Sequence, residues 1–355
     1  MLKKAAALLL ICGGIAIGVG CSNSSTSRYL YGALPGSGAG EIVAFREDPN
    51  SGALTQLVSS PITAGSAVQS LAVHPSKKFL YAANSGAGNV SLFTISSTGS
   101  LDEVTPRTNA GTAPSLLAMD SAGSFLYVGN LGSNDISVFS IDSSTGALTQ
   151  VGNNVPIGPA PLNMALSPSG NFLYITVQGT QGYVEVFTVN QGALAALQPN
   201  AIFPTGNTPV GLAIDPAGKF LYTANRLDPS ISEFTINADG SLTQLANSPL
   251  GGSYSSPTAL LVDGSSKYLY VANQGSTNLA GYSIGTDGSL TLLASSPFGT
   301  GSQPSFIAAD PSGKFLFVGA NASVQSFSLD GSNGTLTSVS TYSIGSAPTS
   351  IVLTP

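Results

Sequence analysis

The chain is poor in charge, cysteine and histidine. Only 8% of its 355 residues are charged, and it has two Cys, one His and no Trp beside 42 Gly and 22 Pro. Because helices favour Ala, Leu, Glu and Lys, this composition argues against a helical protein and indicates a turn-rich β protein. A length above 300 residues ordinarily suggests two domains, but all-β folds built by radial repetition are an exception.

The first 20 residues have the pattern of an export signal. Lys3 and Lys4 precede an apolar run that ends at about residue 17, and small residues follow it. This pattern predicts a cleaved bacterial signal peptide rather than a spanning helix. The stretch 18–21, GVGC, resembles the lipobox of bacterial lipoproteins, in which the Cys becomes the lipid-bearing first residue. Gly18 replaces the usual Leu of that pattern, which leaves simple cleavage after Gly20 open.

We therefore predict a signal peptide over 1–20, lipidation at Cys21 with a tether over 21–27, and a propeller domain over 28–355, as argued below. The protein is expected to be exported and anchored to a membrane of the bacterial envelope through its lipid, at the outer membrane and periplasm or at the cell surface. Several acyl chains give stable anchoring.

Removal of the signal peptide changes the cysteine count and the net charge of the mature chain. Cys12 leaves with it, so the mature chain has one Cys and no internal disulfide, and packing must stabilise the fold. Loss of Lys3 and Lys4 leaves nine of 11 basic residues against 17 acidic ones, a net charge of −8 that argues against a nucleic-acid partner. Without a Cys/His cluster, a phosphate-binding glycine loop or a nucleophile elbow, we expect neither metal nor cofactor.

A sequence unit repeats along the chain. Aromatic residues of FLY-like phrases recur at spacings of 50, 46, 47, 48, 48 and 47 residues, and they are Tyr29, Phe79, Phe125, Phe172, Phe220, Tyr268 and Phe315. A period of this size indicates an array of supersecondary units.

Each unit is interpreted as four short strands. In residues 212–245 the strands read LAIDP, FLYTAN, ISEFTI and LTQL, separated by Gly, Asp and Asn turns. Seven such units predict an all-β, seven-bladed β-propeller of four-stranded antiparallel blades. The first unit lacks its first strand and the stretch 346–355 matches only a first strand, so this C-terminal strand is predicted to close the ring.

The phrases FLYAANSGAGNVSLF (79–93), FLYVGNLGSNDISVFSID (125–142) and YLYVANQGSTNL (268–279) resemble the bacterial seven-bladed lactonase family. That family includes 6-phosphogluconolactonase-like and carboxymuconate cyclase-like proteins, and the phrases are also similar to the YVTN repeats of surface proteins. The resemblance covers residues 28–355 and implies a central cavity that holds acid and base groups in active members.

The acid and base groups implied by the resemblance are missing. Asn225-Arg226-Leu227 stands where the family has Asn-Glu-Leu, Val210-Gly211 where it has Arg-His, and Pro114-Ser115 where it has Pro-His. Lactone opening requires a group that exchanges a proton near neutral pH. The single His of the chain, His74, aligns with turn residues such as Asp215 and is interpreted as a turn cap. We therefore predict no catalytic residue.

Two arginines and several small polar residues remain as candidate contacts on the face where the loops enter the innermost strands. Arg suits a planar anion because it donates paired hydrogen bonds, although Arg226 could instead pair with Asp228. The predicted ligand-binding residues are Arg226, Arg107, Asn225, Asn84, Asn130, Asn273 and Ser115. Tyr254 lies in the same loops.

The five mature lysines share one turn, between the first and second strands of their units. They are Lys77, Lys78, Lys219, Lys267 and Lys314. A basic rim that faces anionic lipid or polysaccharide is one interpretation. Asp residues in several of the same turns offset the positive charge, however, which favours ordinary solvated turns.

Three functions stay open. The emptied acid–base set on an intact scaffold favours a non-catalytic module that binds a small anionic ligand, an envelope protein or a polysaccharide, since fold does not imply function. The protein is expected to be a monomer. The first alternative is a lactone hydrolase that uses Arg226, Asp228 and a water. The second is a structural component of the envelope or surface layer.

Overall fold

The computed structural model describes residues 27–36, 38–179, 181–252 and 255–354. In these ranges the chain forms seven antiparallel sheets, which we call blades I to VII. The innermost strand of each blade contacts the innermost strand of the next, and these contacts close into a ring. The predicted seven-bladed β-propeller is thus confirmed.

The strands are numbered along the chain. Blade I contains β1 (Arg28–Leu34), β2 (Ala39–Glu47), β3 (Leu54–Gln56) and β4 (Ile62–Ser66). Blade II contains β5 (Val68–Val73), β6 (Phe79–Asn84), β7 (Asn89–Ile95) and β8 (Leu101–Asn109). Blade III contains β9 (Pro114–Met119), β10 (Phe125–Asn130), β11 (Asp135–Ile141), β12 (Leu148–Gln150) and β13 (Val155–Pro156). Blade IV contains β14 (Pro161–Leu166), β15 (Phe172–Val177), β16 (Tyr183–Asn190), β17 (Ala193–Ala196) and β18 (Ile202–Pro204).

Blade V contains β19 (Pro209–Ile214), β20 (Phe220–Asn225), β21 (Ser230–Ile236), β22 (Leu242–Gln244) and β23 (Leu250–Gly251). Blade VI contains β24 (Pro257–Val262), β25 (Tyr268–Asn273), β26 (Asn278–Ile284), β27 (Leu290–Leu292) and β28 (Phe298–Gly299). Blade VII contains β29 (Pro304–Ala309), β30 (Phe315–Ala320), β31 (Ser323–Leu329) and β32 (Leu336–Ser343), and the last strand is β33 (Ser350–Leu353). Within the described ranges the one helical element is a 3-10 turn at Gln274–Ser276, and no helix there is long and apolar enough to cross a membrane.

The ring is closed by the last strand, as predicted. β33 pairs antiparallel with β1, from Leu30 opposite Leu353 to Ala33 opposite Ser350, and becomes the innermost strand of blade I. Beyond this pairing, Tyr29 and Thr354 exchange two hydrogen bonds, of 2.9 and 3.0 Å. Residues from the two ends of the chain therefore share one sheet.

The outermost strand differs from the simple four-strand prediction. In five blades it breaks into two segments, the second of which (β4, β13, β18, β23 or β28) also pairs with the third strand. Pro61, Pro249 and Pro297 stand at three of these breaks, where proline cannot donate a ladder hydrogen bond and is tolerated because the strand is an edge. The serine before each of these prolines replaces the lost pairing, since its hydroxyl accepts a third-strand N–H at 2.8 to 3.1 Å.

The seams between blades are built from the repeated aromatic residues. The aromatic residue at the start of each second strand packs on a left-handed glycine in the next blade, at the hairpin between strands three and four. Phe220 contacts Gly288 in this way, and Gly288 has φ +87°, so a side chain there would be both strained and blocked by the ring. The same contact occurs at all seven seams, from Tyr29 on Gly99 to Phe315 on Gly52.

A second column in the same strands adds a hydrogen bond to five seams. Six of its seven members are fully buried tyrosines, and the seventh is Phe317. The hydroxyl of Tyr222, for example, donates to the carbonyl oxygen of Gly288 at 2.8 Å. The equivalent bonds run from Tyr31, Tyr81, Tyr174 and Tyr270 at 2.7 to 3.0 Å. Burial raises the pKa of each tyrosine, so these hydroxyls stay protonated.

Candidate functional site: the central cavity

A cavity of about 410 Å³ lies on the axis of the ring. Every innermost strand contributes to its wall, mainly through the second to fourth residues of the strand. The residues at the second position are Gln69, Ser115, Leu162, Val210, Thr258 and Ser305, and Thr349, which directly precedes β33, stands at the equivalent place of the repeat. Ser70, Asn163 and Ser350 add polar groups one residue deeper. The cavity therefore has a polar, mostly hydroxyl-bearing mouth at the end where the innermost strands begin.

Three of these hydroxyls link neighbouring blades around the mouth. Thr258 Oγ1 donates to Pro304 O at 3.2 Å, Ser305 Oγ to Pro348 O at 3.3 Å, and Thr349 Oγ1 to Val68 O at 3.3 Å. Pro304 and Val68 are the first residues of β29 and β5, and Pro348 stands at the equivalent place of the repeat, two residues before β33. These links connect the mouth-side ends of the innermost strands from blade VI to blade II, and they were not predicted from the sequence. Ser or Thr directly after Pro was the sequence signal for all four hydroxyls at this position.

Ser115 occupies the same position in blade III but makes no such link. Its hydroxyl oxygen is buried and has no hydrogen-bond partner among the described residues. A buried hydroxyl without a partner costs free energy, so a polar ligand group that reaches this oxygen would recover a hydrogen bond. Of the seven predicted ligand-binding residues, Ser115 is the one that lines the cavity.

The described residues that line the cavity include no titratable side chain. Val210 and Ser115, the two residues that stand at implied His-bearing motifs, present an isopropyl group and a hydroxyl to the cavity. General acid–base catalysis requires a proton-exchanging group within hydrogen-bond reach of the reacting atom. These side chains can hold a ligand through hydrogen bonds and apolar contacts, but they cannot move a proton at neutral pH.

The four predicted asparagines lie at the mouth-side ends of second strands, where they brace their own blades. All four are buried, with at most 1% exposure. The Nδ2 of Asn225 donates to Ser230 Oγ at 3.0 Å and to Ser232 Oγ at 2.9 Å. Asn84 and Asn130 donate to equivalent partners on the third strand, and Asn273 donates to Asn278 at 3.1 Å. These side chains therefore hold the end of the second strand to the third strand across the loop that joins them. None of the four lines the cavity.

The two predicted arginines are not brought together. Arg226 lies in the exposed loop after β20 and donates to Gln274 Oε1 of blade VI at 3.1 Å, whereas Asp228 accepts the N–H of Asn207 at 2.8 Å. Arg107 lies within strand β8, not in a loop as the sequence suggested, because the outermost strand of blade II continues through Pro106. There it pairs with Glu103, with Nε 2.7 Å from Oε1. The pairing holds the pKa of Glu103 below its usual value, against the effect of burial.

Buried carboxyl groups occur elsewhere in the blades. Burial raises the pKa of Glu233 to about 7, and its Oε1 accepts the N–H of Leu290 at 3.2 Å. Burial also raises the pKa of Glu47 to about 7, with a further upward effect of Asp310 and an opposing effect of Arg28. Neither carboxyl lines the cavity. Among the described residues there is no cluster of three or more His, Cys, Asp or Glu that could hold a metal ion.

His74 lies at the base of blade II, at the opposite end of the innermost strand from the mouth. Its Nδ1 accepts the N–H of Ser76 at 3.0 Å, and its Nε2 lies 2.9 Å from the carbonyl oxygen of Gly123 in blade III. Nε2 therefore carries the proton and donates it to that oxygen. The ring caps its turn and ties two blades together. Cys21 and Tyr254 lie outside the described residues.

Comparison with known proteins identifies the scaffold. The sequence model of the family described as "Lactonase, 7-bladed beta-propeller" matches residues 22–115, 103–208, 184–299 and 255–353, which together cover most of the chain. No curated protein matches the chain.

Two solved structures show the same fold. A protein from Lactobacillus plantarum superposes with a TM-score of 0.78 at 21% identity, over 92% of this chain and 99% of that one. The periplasmic gluconolactonase of Pseudomonas aeruginosa gives a TM-score of 0.77 at 20% identity, over 93% and 99%.

Proposed function

The chain belongs to the seven-bladed β-propeller lactonase family, and from that premise we propose that it is a binding protein that holds a small, uncharged, hydroxyl-rich ligand in its central cavity without hydrolysing it. One observation carries the proposal. The described wall of the cavity offers hydroxyl, amide and backbone carbonyl groups and no titratable side chain.

The size and chemistry of the cavity suit a sugar or an intact sugar lactone. A volume of about 410 Å³ falls within the range of small-molecule sites, roughly 300 to 1,000 Å³. Apolar side chains such as Leu116, Met164 and Phe306 alternate with the hydroxyl groups of the wall. Sugar rings present both apolar and hydroxyl faces, so a mixed wall of this kind can contact both.

An uncharged ligand replaces the small anionic one expected from the sequence. Arg107 is neutralised by Glu103 in an outer strand of blade II, and Arg226 is held by Gln274 in blades V and VI. Neither guanidinium lines the cavity. Burying an anion without a paired cation is costly, so the polar but uncharged wall favours a neutral molecule.

The proposed setting is the bacterial envelope, with the mouth turned away from the membrane. Ser27, the first described residue, lies at the base beside Lys77 and Lys78. Cys21 precedes it by six residues, a span of at most about 20 Å. A lipid on Cys21 would therefore hold the base near the bilayer and leave the mouth open to small molecules or to an envelope partner.

Binding and hydrolysis are separated by two measurements on the same preparation. Calorimetric titration with δ-gluconolactone and with gluconate is expected to show binding of the neutral lactone and none of the acid. Ser115→Leu is expected to abolish that binding because it fills the mouth, and blade IV already carries Leu162 at this position. Ser143→Leu, on an exposed hairpin, is the matched control and leaves binding unchanged.

Hydrolysis is followed by acid release from δ-lactones after subtraction of the spontaneous rate. No enzyme-dependent release is expected. Turnover that disappears in Arg226→Ala would replace the binding proposal with lactone hydrolysis, the activity that family membership favours as the second candidate. Failure of every neutral sugar and lactone to bind would also refute the proposal.

A further inference from the structure

Blade II departs from the repeat at the base of the ring, in the turn between its first two strands. Four of the other blades begin this turn with an Asp, whereas blade II has His74. Where four of the others have a left-handed Gly, blade II has Lys77, and Lys78 follows it. This turn therefore carries two cations and no acid.

The neighbouring hairpin of blade II also lacks an acid. Five other blades place an exposed Asp in the hairpin between strands three and four, and these are Asp48, Asp142, Asp239, Asp287 and Asp330. In blade II this hairpin is Ser96-Ser97-Thr98-Gly99-Ser100. Blade IV has an acid-free hairpin as well, but no lysine in its turn. The base of blade II alone combines lysines with the absence of these acids.

The two segments enclose a depression of about 380 Å³ at the seam with blade I. Lys77, Lys78, Ser96 and Ser97 line one side of it, and Ser27 lies on the other. Tyr29 of blade I donates its hydroxyl proton to Ser97 O at 2.8 Å, which holds the hairpin in place. Neither lysine forms an ion pair with a described residue, whereas Arg28 is already engaged by Asp310 at 2.7 Å.

Lys77 is held in a conformation that is unfavourable for its residue type. Its φ is +62°, in the left-handed region where a side chain crowds the backbone and where Gly is favoured. Glycine occupies the equivalent place in the turns of blades III, IV, V and VII. A lysine at this point adds strain without adding a described ion pair, and strained residues concentrate at functional sites.

A second depression at the equivalent place between two other blades can be compared with this one. The seam of blades IV and V has one of about 310 Å³, which is lined by Asn171, Ala217, Gly218 and Asn237 among others and by no charged residue. Ala217 and Gly218 stand where blade II has Ser76 and Lys77. Lys77 is thus particular to the blade I–II depression, whereas the position of Lys78 also carries Lys in blades V, VI and VII.

We propose that the depression between blades I and II is an anion site that takes a phosphate group, either as free phosphate or on a phospholipid headgroup. The two ammonium groups supply up to six N–H donors, and the hydroxyl of Ser97 makes no hydrogen bond within the described residues. Charge-assisted hydrogen bonds of this type are stronger than neutral ones. The site lies at the opposite end of the ring from the cavity mouth and close to the tether.

The test uses the chain from Ser22 onward, which contains the whole closed ring and carries no lipid. Inorganic phosphate is titrated by calorimetry, and cosedimentation is measured with vesicles of phosphatidylglycerol and, separately, of phosphatidylcholine. Lys77→Gly/Lys78→Ser recreates the turn of blade III, Gly123-Ser124, so it is compatible with the fold. Lys219→Ser removes the lysine of blade V that corresponds to Lys78 and is the matched control.

Binding of phosphate or of phosphatidylglycerol vesicles is expected for the parent and for Lys219→Ser. The double variant should bind at least about tenfold more weakly while melting like the parent, and added salt should weaken parent binding. Binding of vesicles alone assigns the site to the headgroup, and binding of free phosphate assigns it to a soluble anion. The proposal is wrong if the parent binds neither probe, if the double variant binds as tightly as the parent, or if Lys219→Ser loses as much affinity.

Discussion

Replacing a single tyrosine of the seam column tests whether its hydroxyl, rather than its ring, stabilises the propeller. In Tyr222→Phe the ring is kept, but the carbonyl oxygen of Gly288 loses the 2.8 Å bond from that hydroxyl. Tyr222 is fully buried, so water cannot replace the lost donor. A buried polar group left without its partner costs about 1 to 3 kcal/mol. We expect Tyr222→Phe to lower the free energy of unfolding by that amount.

The same column supplies the control. Tyr127 is equally buried, but its hydroxyl has no hydrogen-bond partner among the described residues. The hairpin of blade IV that it would reach is shorter, reading Asn190-Gln191-Gly192. Tyr127→Phe therefore removes an unsatisfied polar group and no bond, and it should be neutral or stabilising by up to about 1 kcal/mol. Blade VII already has Phe317 in this column.

Equilibrium unfolding in urea distinguishes the two variants. We expect the midpoint to fall for Tyr222→Phe and to stay or rise for Tyr127→Phe, with the same dependence on urea in both, since the surface exposed on unfolding is unchanged. Equal destabilisation by the two substitutions would show that the hydroxyl bond to Gly288 contributes nothing particular. The packing of the aromatic rings alone would then stabilise the seams.

Three further predictions concern stability. Deleting residues 346–355 removes β33 and should prevent cooperative melting, so a truncated chain that melts at the parent temperature would refute the role of β33 in closure. Burial raises the pKa of Glu47 to about 7, so Glu47 binds a proton more tightly in the folded protein than in the unfolded chain. The free energy of unfolding should therefore fall as pH rises from about 5 to about 8. Glu47→Gln should remove up to about 3 kcal/mol of that fall in urea titrations at the two pH values, and an unchanged pH profile would contradict the assignment. Asn225→Ala should cost about 2 kcal/mol by thermal unfolding because both of its Nδ2 bonds are lost, and a cost near zero would mean that the loop does not depend on them.

The fold was predictable because one sequence unit occurs seven times along the chain, once for each blade. The aromatic column gave the number of blades, and the incomplete first and last units gave the closure by β33. The division of the outermost strand was less visible. In blades I, V and VI it depends on a Ser-Pro pair whose hydroxyl bonds to the third strand, a tertiary contact that no local pattern states.

The candidate site was predicted less well because position in a repeat does not fix where a side chain points. The four asparagines do lie at the mouth-side ends of their strands, but three of them donate to a serine seven residues later, on the third strand of their own blade. A signal for this existed in the sequence: Asn and Ser occur together at that separation in blades II, III and V, whereas blade IV has Val177 and Val184. Arg107 was expected in a loop but lies in strand β8, which continues through Pro106 because an edge strand tolerates proline.

Closure by β33 also imposes an order in time. About 300 residues separate β1 from the strand that covers its inner edge, which at ordinary rates of synthesis corresponds to roughly 15 to 60 s. Until then β1 has a free edge that any other extended chain can occupy. The yield of correctly folded protein therefore depends on how well a nascent chain is kept from its neighbours during that interval, in addition to the stability of the finished ring.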